Sequence, residues 1–393
     1  MTLLLCFLTA CIEGIDLQSM GIAAPGIRTE FGLAPQQLGN VLFASPIGLF
    51  FGAFIGGRLA DQFGRKAALL FAMVVFGVFQ LSTVWAPGYG ALVAIRFLCG
   101  LGLGGALPNL IALTSEASGG KNSILNVVIT AAGMPVGGGF ASWIMFAEGA
   151  HANWRTVFYI GGIAPLVLAV AMTFLLRESR VFREAREAAV KAGRRINSVA
   201  VLFGGGRAPA SVSLWISFFF TTLVTYLLLN WLPILMEAKG FSRTDAAFIQ
   251  ILFNVGSAVG SIFMGWLMQR RPSRTILIAC YVGLALGLVA LAKVGGSVGV
   301  ASAVVGITGA FLLSAQYILY GLSPSFYPSE ARGTGTGAAV AVGRLGSAMG
   351  PQLAGMLIQG GKSATEVLQA LLPVTAVAGL FAVVLMFCRR AED

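Results

Sequence analysis

The chain is poor in charge and nearly devoid of histidine. Aspartate and glutamate number 15 and lysine and arginine 26 among 393 residues, so charged residues make up 10% of the whole; a soluble domain carries about a quarter. So little charge does not cover a water-exposed surface, and a soluble globule is excluded. The one histidine, His151, leaves no material for a histidine-built metal site or a Ser-His-Asp arrangement and reads as a solvated loop residue. Cys6, Cys11, Cys99, Cys280 and Cys388 have no paired metal spacing and fall inside or at the edges of apolar runs, where they pack as small hydrophobes. No reactive cluster is visible, so neither an enzyme, a metal nor a cofactor is expected.

What the chain has in excess is apolar length: 57% hydrophobic residues and a mean hydropathy of +0.86. About twelve runs are long enough to cross a hydrocarbon core of roughly 30 Å. They cover Leu3 to Ile27, Leu38 to Leu59, Ala67 to Ala86, Gly88 to Leu113, Leu125 to Ala147, Val157 to Leu176, Leu214 to Leu235, Ala246 to Met268, Ile276 to Ala292, Gly299 to Leu322, Ala338 to Ile358 and Val367 to Cys388. Backbone in lipid must satisfy its own hydrogen bonds, and these runs are too long and continuous for barrel strands, so an all-α membrane protein is expected. The first run reads as a span and not a removable signal peptide, because Glu13 and Asp16 interrupt it and no small-residue cleavage site follows.

The net charge of +11 would suggest nucleic acid in a soluble protein; here it reports topology. Arg58, Arg65, Lys66, Lys121, the basic residues of the 177–207 segment, Arg270, Arg271, Arg274, Arg332, Arg389 and Arg390 share one side. The other side has only Arg28, Arg155, Lys239, Arg243, Lys293 and Lys362. The positive-inside rule makes the first side cytoplasmic, with both termini there, and the expected location is the cell's inner (plasma) membrane. Residues 1–176 and 212–393 then form two six-helix bundles joined by a cytoplasmic linker, 177–211. In that linker Arg180 with Glu184 and Arg183 with Glu187, spaced i, i+4, favour a surface helix beside lipid headgroups.

Four ionisable groups, Glu13, Asp16, Arg96 and Arg344, sit inside apolar runs. Each ionised side chain at a helix centre costs about 2.5 to 3.5 kcal/mol on insertion scales, so four unpaired would cost on the order of 10 kcal/mol. Pairing or function is required. A weak internal repeat accompanies them. Gly57-Arg-Leu-Ala-Asp61-Gln-Phe-Gly64-Arg65-Lys66 is echoed by Gly265-Trp-Leu-Met-Gln269-Arg270-Arg271-Pro-Ser-Arg274, and Gly133-Met-Pro135-Val-Gly137 by Gly350-Pro351-Gln-Leu-Ala-Gly355. Two related halves with a site between them near the midplane are a recurring transporter plan.

The first of these segments resembles the signature of the major facilitator superfamily between its second and third helices, and Arg96-Phe-Leu-Cys-Gly100-Leu-Gly102-Leu-Gly104 resembles its fourth-helix motif. That resemblance implies the superfamily's twelve-helix fold of two pseudo-symmetric bundles. It also implies a gating motif on the cytoplasmic side comprising Gly57, Asp61, Gly64 and Arg65, with Glu116 and Arg332 as further members. Gln62 replaces the usual basic residue, and Gln269 stands where the second copy would have an acid. Within the superfamily the chain looks most like the aromatic acid:proton symporters, nearest the 3-hydroxyphenylpropionate branch. The resemblance rests on Glu13-Gly-Ile-Asp16, the run Gly104-Gly-Ala-Leu-Pro108-Asn109-Leu-Ile-Ala-Leu-Thr-Ser-Glu116, Asn230-Trp231-Leu-Pro233 and Val340-Ala-Val-Gly-Arg344-Leu-Gly. It implies proton-coupled uptake of a small aromatic carboxylate by a monomer, with membrane lipids and protons as the other partners and no nucleic acid. Proton-driven export of drugs or metabolites on the same scaffold is the alternative.

The chemistry follows from the residue types. Glu13 and Asp16, spaced i, i+3, project near one face, and two carboxylates close together in a low dielectric cannot both ionise cheaply. Asp16, with Glu13, is therefore the expected proton site. Arg96 or Arg344 would sense the substrate carboxylate through a guanidinium's two-pronged donors, unless the charges merely form a static pair. The resemblance places helices one, four, seven and ten around the cavity. Asn109, Tyr226, Asn230, Trp231, Gln316, Tyr317 and Tyr320 are then the candidates to stack on a ring and bond its hydroxyl, although Trp231 also fits an interfacial anchor. The runs Gly100 to Gly105 and Gly333 to Gly337 are read as close helix packing and not as phosphate loops.

Overall fold

A computed structural model describes residues 1–106, 110, 113–114, 123–149, 153–176, 202–204, 206–268, 270–327 and 332–388. Twelve α-helices run through them: α1 (Thr2–Phe31), α2 (Pro35–Phe63), α3 (Arg65–Ser82), α4 (Tyr89–Gly104), α5 (Ser123–Glu148), α6 (Trp154–Leu175), α7 (Ala208–Ala238), α8 (Arg243–Met268), α9 (Ser273–Lys293), α10 (Val298–Leu322), α11 (Arg332–Gln359) and α12 (Ala364–Leu385). Nine contain an apolar window long enough to cross a membrane. The others are α2, the 16-residue α4 and glycine-rich α11. Each expected run falls on one helix, although the fourth reaches only Gly104 as continuous helix. Most of the expected linker, and His151, lie outside the described residues.

Local chemistry sets the breaks. Gly32 takes φ 60° and caps α1 in the left-handed region, and Gly64 takes φ 98° at the corner between α2 and α3, conformations that cost an L side chain about 1 kcal/mol or more. Ser363 and Glu366 form a reciprocal capping box that starts α12. Prolines 25, 46, 135, 165, 233, 351 and 373 remain inside helices. Packed neighbours make this tolerable in a membrane protein by re-satisfying the freed carbonyls.

The pairing of the first six helices recurs in the last six: α1 on α5 and α7 on α11, α2 on α4 and α8 on α10, α3 on α6 and α9 on α12. Glycines let the backbones meet. A Cβ at Gly14 or Gly137 would overlap α5 or α1 backbone respectively, and one at Gly346 or Gly350 would overlap the backbone of α7. On α2 and α4, Gly48, Gly52, Gly100 and Gly104 interlock in the same way. The glycine run of the fourth helix is thus a packing surface, as its sequence context indicated. The two sets of helices join through α2 on α11, α5 on α8 and α1 on α7. Several of these contacts lie toward the end remote from the chain termini, here the distal end. Gly39 meets Pro351 with 3.3 Å from its ideal Cβ position to the carbonyl oxygen, and the Phe146 and Phe248 rings lie 5.6 Å apart.

Candidate functional site

The four buried charges divide into two unlike arrangements. On the first side, Asp16 of α1 and Arg96 of α4 are 0% and 1% exposed. Arg96 Nη2 donates to Asp16 Oδ1 at 2.9 Å, and Nη1 donates to Gln80 Oε1 of α3 at 2.5 Å. The Cys99 thiol, one turn after Arg96, lies 3.6 Å from Asp16 Oδ1. The guanidinium also sits 5.9 Å from the centre of the Phe158 ring. Three helices and an aromatic from a fourth therefore fix one ion pair. Gln80 was not among the expected site residues; its signal is a lone amide in the apolar run Ala67 to Ala86, which on an insertion scale demands a partner.

Arg344 on α11 is different. It is buried, and Nη1 donates to the Tyr226 hydroxyl at 3.0 Å. Among the described residues no carboxylate comes within salt-bridge distance of it. Glu13, 0% exposed, lies in electrostatic range of Arg344, Tyr226 and Tyr317. Neither of its carboxylate oxygens has a hydrogen-bond partner among the described residues. A cation without an anion thus faces an acid without a donor, across the junction of the two bundles. A buried charge of either kind is costly, and this arrangement is one that a proton and an anionic ligand would complete.

Other expected residues gather around that junction. Asn230 donates to the Tyr226 carbonyl one turn earlier at 2.8 Å, and Thr225 donates to Gln316 Oε1 at 2.9 Å, leaving the Gln316 amide nitrogen free of that bond. The Tyr320 ring meets Phe218 edge-on at 4.9 Å between centroids. A small void beside the junction is lined by Leu17, Met20, Val41, Leu42, Ser45, Pro46, Arg96, Tyr226 and Asn230. Its walls mix apolar side chains with the polar groups of Ser45, Arg96, Tyr226 and Asn230; with room for about one water, it must widen to admit an organic ligand. Gly21 lets α1 approach the Asn230 backbone closely at this level.

Trp231 is 1% exposed inside the apolar core, so the interfacial-anchor reading fails; it does not line that cavity either. Asn109 and Glu116 lie outside the described residues. Gly57, Asp61, Arg65 and Arg332 fall on described helices, but nothing of their side chains is described, and Gly64 forms the α2–α3 corner given above. Among the described residues no group of acids, histidines and cysteines is placed to hold a metal ion.

A family model described as the Major Facilitator Superfamily matches residues 6–351 and 214–393. A 3-(3-hydroxy-phenyl)propionate transporter of Escherichia coli (strain K12) is 41% identical, covering 100% of this chain and 95% of that one. The 4-hydroxybenzoate transporter PcaK of Pseudomonas putida is 33% identical over 95% and 90% of the two chains, and a gallate transporter of the same species 34% identical over 91% and 85%. Among solved structures, the inward-open xylose transporter XylE from E. coli superposes with a TM-score of 0.79 at 15% identity, covering 100% of this chain and 96% of that one. At that identity the likeness establishes the fold alone. The chain belongs to the major facilitator superfamily.

Proposed function

We propose that this multi-pass membrane transporter carries a hydroxylated aromatic carboxylate inward together with a proton, and that Arg344 receives the carboxylate. The observation that carries the reading is the Arg344 guanidinium, buried and held by Tyr226, with no carboxylate partner among the described residues and the unpartnered Glu13 opposite. Arg96 is the weaker candidate of the two arginines, since Asp16 and Gln80 already take its donors. Glu13, with no hydrogen-bond donor among the described residues, takes the coupling proton; Asp16, bonded to Arg96, fixes the position of α1 and is the less available of the two acids.

Competition for one guanidinium then couples the fluxes. With the substrate carboxylate on Arg344, Glu13 loses the field of that cation and holds a proton; when the substrate leaves, Glu13 regains that field and releases the proton. The relatives named above support a ring-bearing acid as substrate, and Asn230, Gln316, Tyr317 and Tyr320 supply polar contacts and ring faces for it. One proton with one monoanion moves no net charge, so the pH gradient drives accumulation, and each additional proton would add about 2.3 kcal/mol per 100 mV. The domains in this reading are 1–176 and 212–393 joined by 177–211. The charge bias of the loops puts both termini in the cytoplasm, so the distal end faces outward. The protein works as a monomer in a bacterial inner membrane.

Uptake into proteoliposomes of 3-(3-hydroxyphenyl)propionate, 4-hydroxybenzoate, benzoate and a dicarboxylate, with and without an inward acid gradient, tests this. Accumulation of the hydroxylated monocarboxylates only when the outside is acid is the expected result. No flux of any of the four, or flux indifferent to the gradient, would overturn it.

A further inference from the structure

A cluster of uncharged amides joins the two bundles beside the charged site. Gln18 of α1 and Asn254 of α8 exchange reciprocal hydrogen bonds: Gln18 Nε2 donates to Asn254 Oδ1 at 2.6 Å, and Asn254 Nδ2 donates to Gln18 Oε1 at 2.8 Å. Gln250, one turn before Asn254, donates to the same Gln18 oxygen at 3.0 Å. All three side chains are at most 3% exposed. Among the described residues, these are the side-chain hydrogen bonds that pass from the first six helices to the last six. Gly138 of α5 makes the room, since a Cβ there would overlap Gln18 Nε2.

The position matters as much as the bonds. Gln18 lies past the middle of α1, and Gln250 and Asn254 lie in the first half of α8, on the distal side of the Asp16–Arg96 pair. A second small cavity lies farther out, lined by Ile22, Met145, Pro233, Glu237, Arg243 and Ala247. The amide cluster thus stands between the charged site and the distal surface. A movement that separates α1 and α5 from α8 at that surface breaks three hydrogen bonds in a low dielectric.

We propose that Gln18, Gln250 and Asn254 form a latch that holds the distal path shut and sets how much of the protein rests with that path closed. Its chemistry makes it indifferent to pH. Amides do not titrate, and the charged groups on the packed elements are elsewhere: Glu13, Asp16, Arg28 and Glu30 on α1, Glu148 at the distal end of α5, Glu237 at the distal end of α7, and Arg243 and Asp245 at the distal end of α8. A neutral latch lets protonation act at Glu13 without also weakening the gate. The inference concerns closure and does not depend on which acid is carried.

Maleimide labelling of Met145→Cys in lipid nanodiscs reports the path, because Met145 is 3% exposed and lines the distal cavity. Rates are taken against the chain without the added cysteine, and at each pH against Met145→Cys alone. Adding Asn254→Leu, of similar shape, removes every donor and acceptor that Asn254 supplies, and labelling is expected to quicken roughly ten-fold at all pH values. Adding Asn254→Asp in its place makes the latch titratable. A protonated acid still donates to Gln18 Oε1 and restores the pair, whereas a carboxylate repels that oxygen. Labelling is expected to be near the parent rate at low pH and several-fold faster at high pH, reversibly. Parent-like labelling of Asn254→Leu overturns the proposal, and so does an Asn254→Asp rate that follows the parent at every pH. Should Asn254→Leu fail to fold, the reversible pH response of Asn254→Asp decides alone.

Discussion

The first six helices hold a buried cation paired with a carboxylate, and the last six hold one that is not. Arg96 is surrounded by Asp16, Gln80, Cys99 and Phe158; Arg344 has the Tyr226 hydroxyl. Both are buried in helices of similar make, each fixed by glycine-rich contacts with its neighbour. The difference teaches that burial of an arginine in a membrane helix has two solutions. One closes the charge inside the bundle and makes it structural. The other leaves the charge incompletely paired where the two bundles meet, so that something entering from outside completes it.

Breaking the closed pair should have the largest effect. Asp16→Asn or Arg96→Gln leaves one buried charge uncompensated, a loss of about 3–5 kcal/mol. Either single variant should therefore give markedly less folded protein, read as the monodisperse fraction and the melting temperature after solubilisation. The double variant should recover most of the stability, since neutral amides replace both charges together. Single variants as stable as the parent would show that the pair is not structural. Arg344→Gln is expected to do the opposite, with little change in melting temperature but a KM for the aromatic acid raised about 10- to 100-fold, the worth of charged hydrogen bonds of roughly 1.5–3 kcal/mol. Arg344→Lys should recover only part of this, because an ammonium does not reproduce the two-pronged geometry. Glu13→Gln separates binding from coupling: exchange of labelled for unlabelled substrate should persist while accumulation against a gradient disappears. Accumulation that survives Glu13→Gln would move the proton site elsewhere.

Much of this difference was invisible in sequence, although its ingredients were not. Apolar run length is a one-dimensional property, so all twelve helices could be read directly, and so could the four charges that interrupt them. Which acid meets which arginine depends on the packing of α1 against α4, α7 and α11, and no local pattern encodes it. Glu13 and Asp16, one turn apart, were therefore expected to share a role, whereas a small rotation around α1 sends one toward Arg96 and the other toward the bundle junction. Gln80, Gln18, Gln250 and Asn254 were overlooked for a related reason. A lone amide costs less in an apolar run than a charge does, so its signal is weaker even where its partners are as specific. Trp231 shows the reverse error, since a large aromatic near the outer end of its run suggested an interfacial anchor and is instead buried at 1% exposure.

The smallest expected effect concerns the ring hydroxyl, and it probes how finely the less occupied half is tuned. Thr225 donates to Gln316 Oε1 at 2.9 Å inside the last six helices, which orients the amide so that its nitrogen faces away from Thr225. A donor held in this way discriminates between acids with and without an oxygen on the ring, because the unhydroxylated acid leaves the amide unpaired. Thr225→Val keeps the shape and removes the orienting bond, worth about 0.5–1.5 kcal/mol. The ratio of KM for benzoate to KM for a hydroxybenzoate should consequently fall by roughly 2- to 10-fold, while the maximal rate and the dependence on the acid gradient stay as they were. A ratio unchanged in Thr225→Val, but lost in Gln316→Leu, would keep the amide as the contact and remove Thr225 as the residue that positions it.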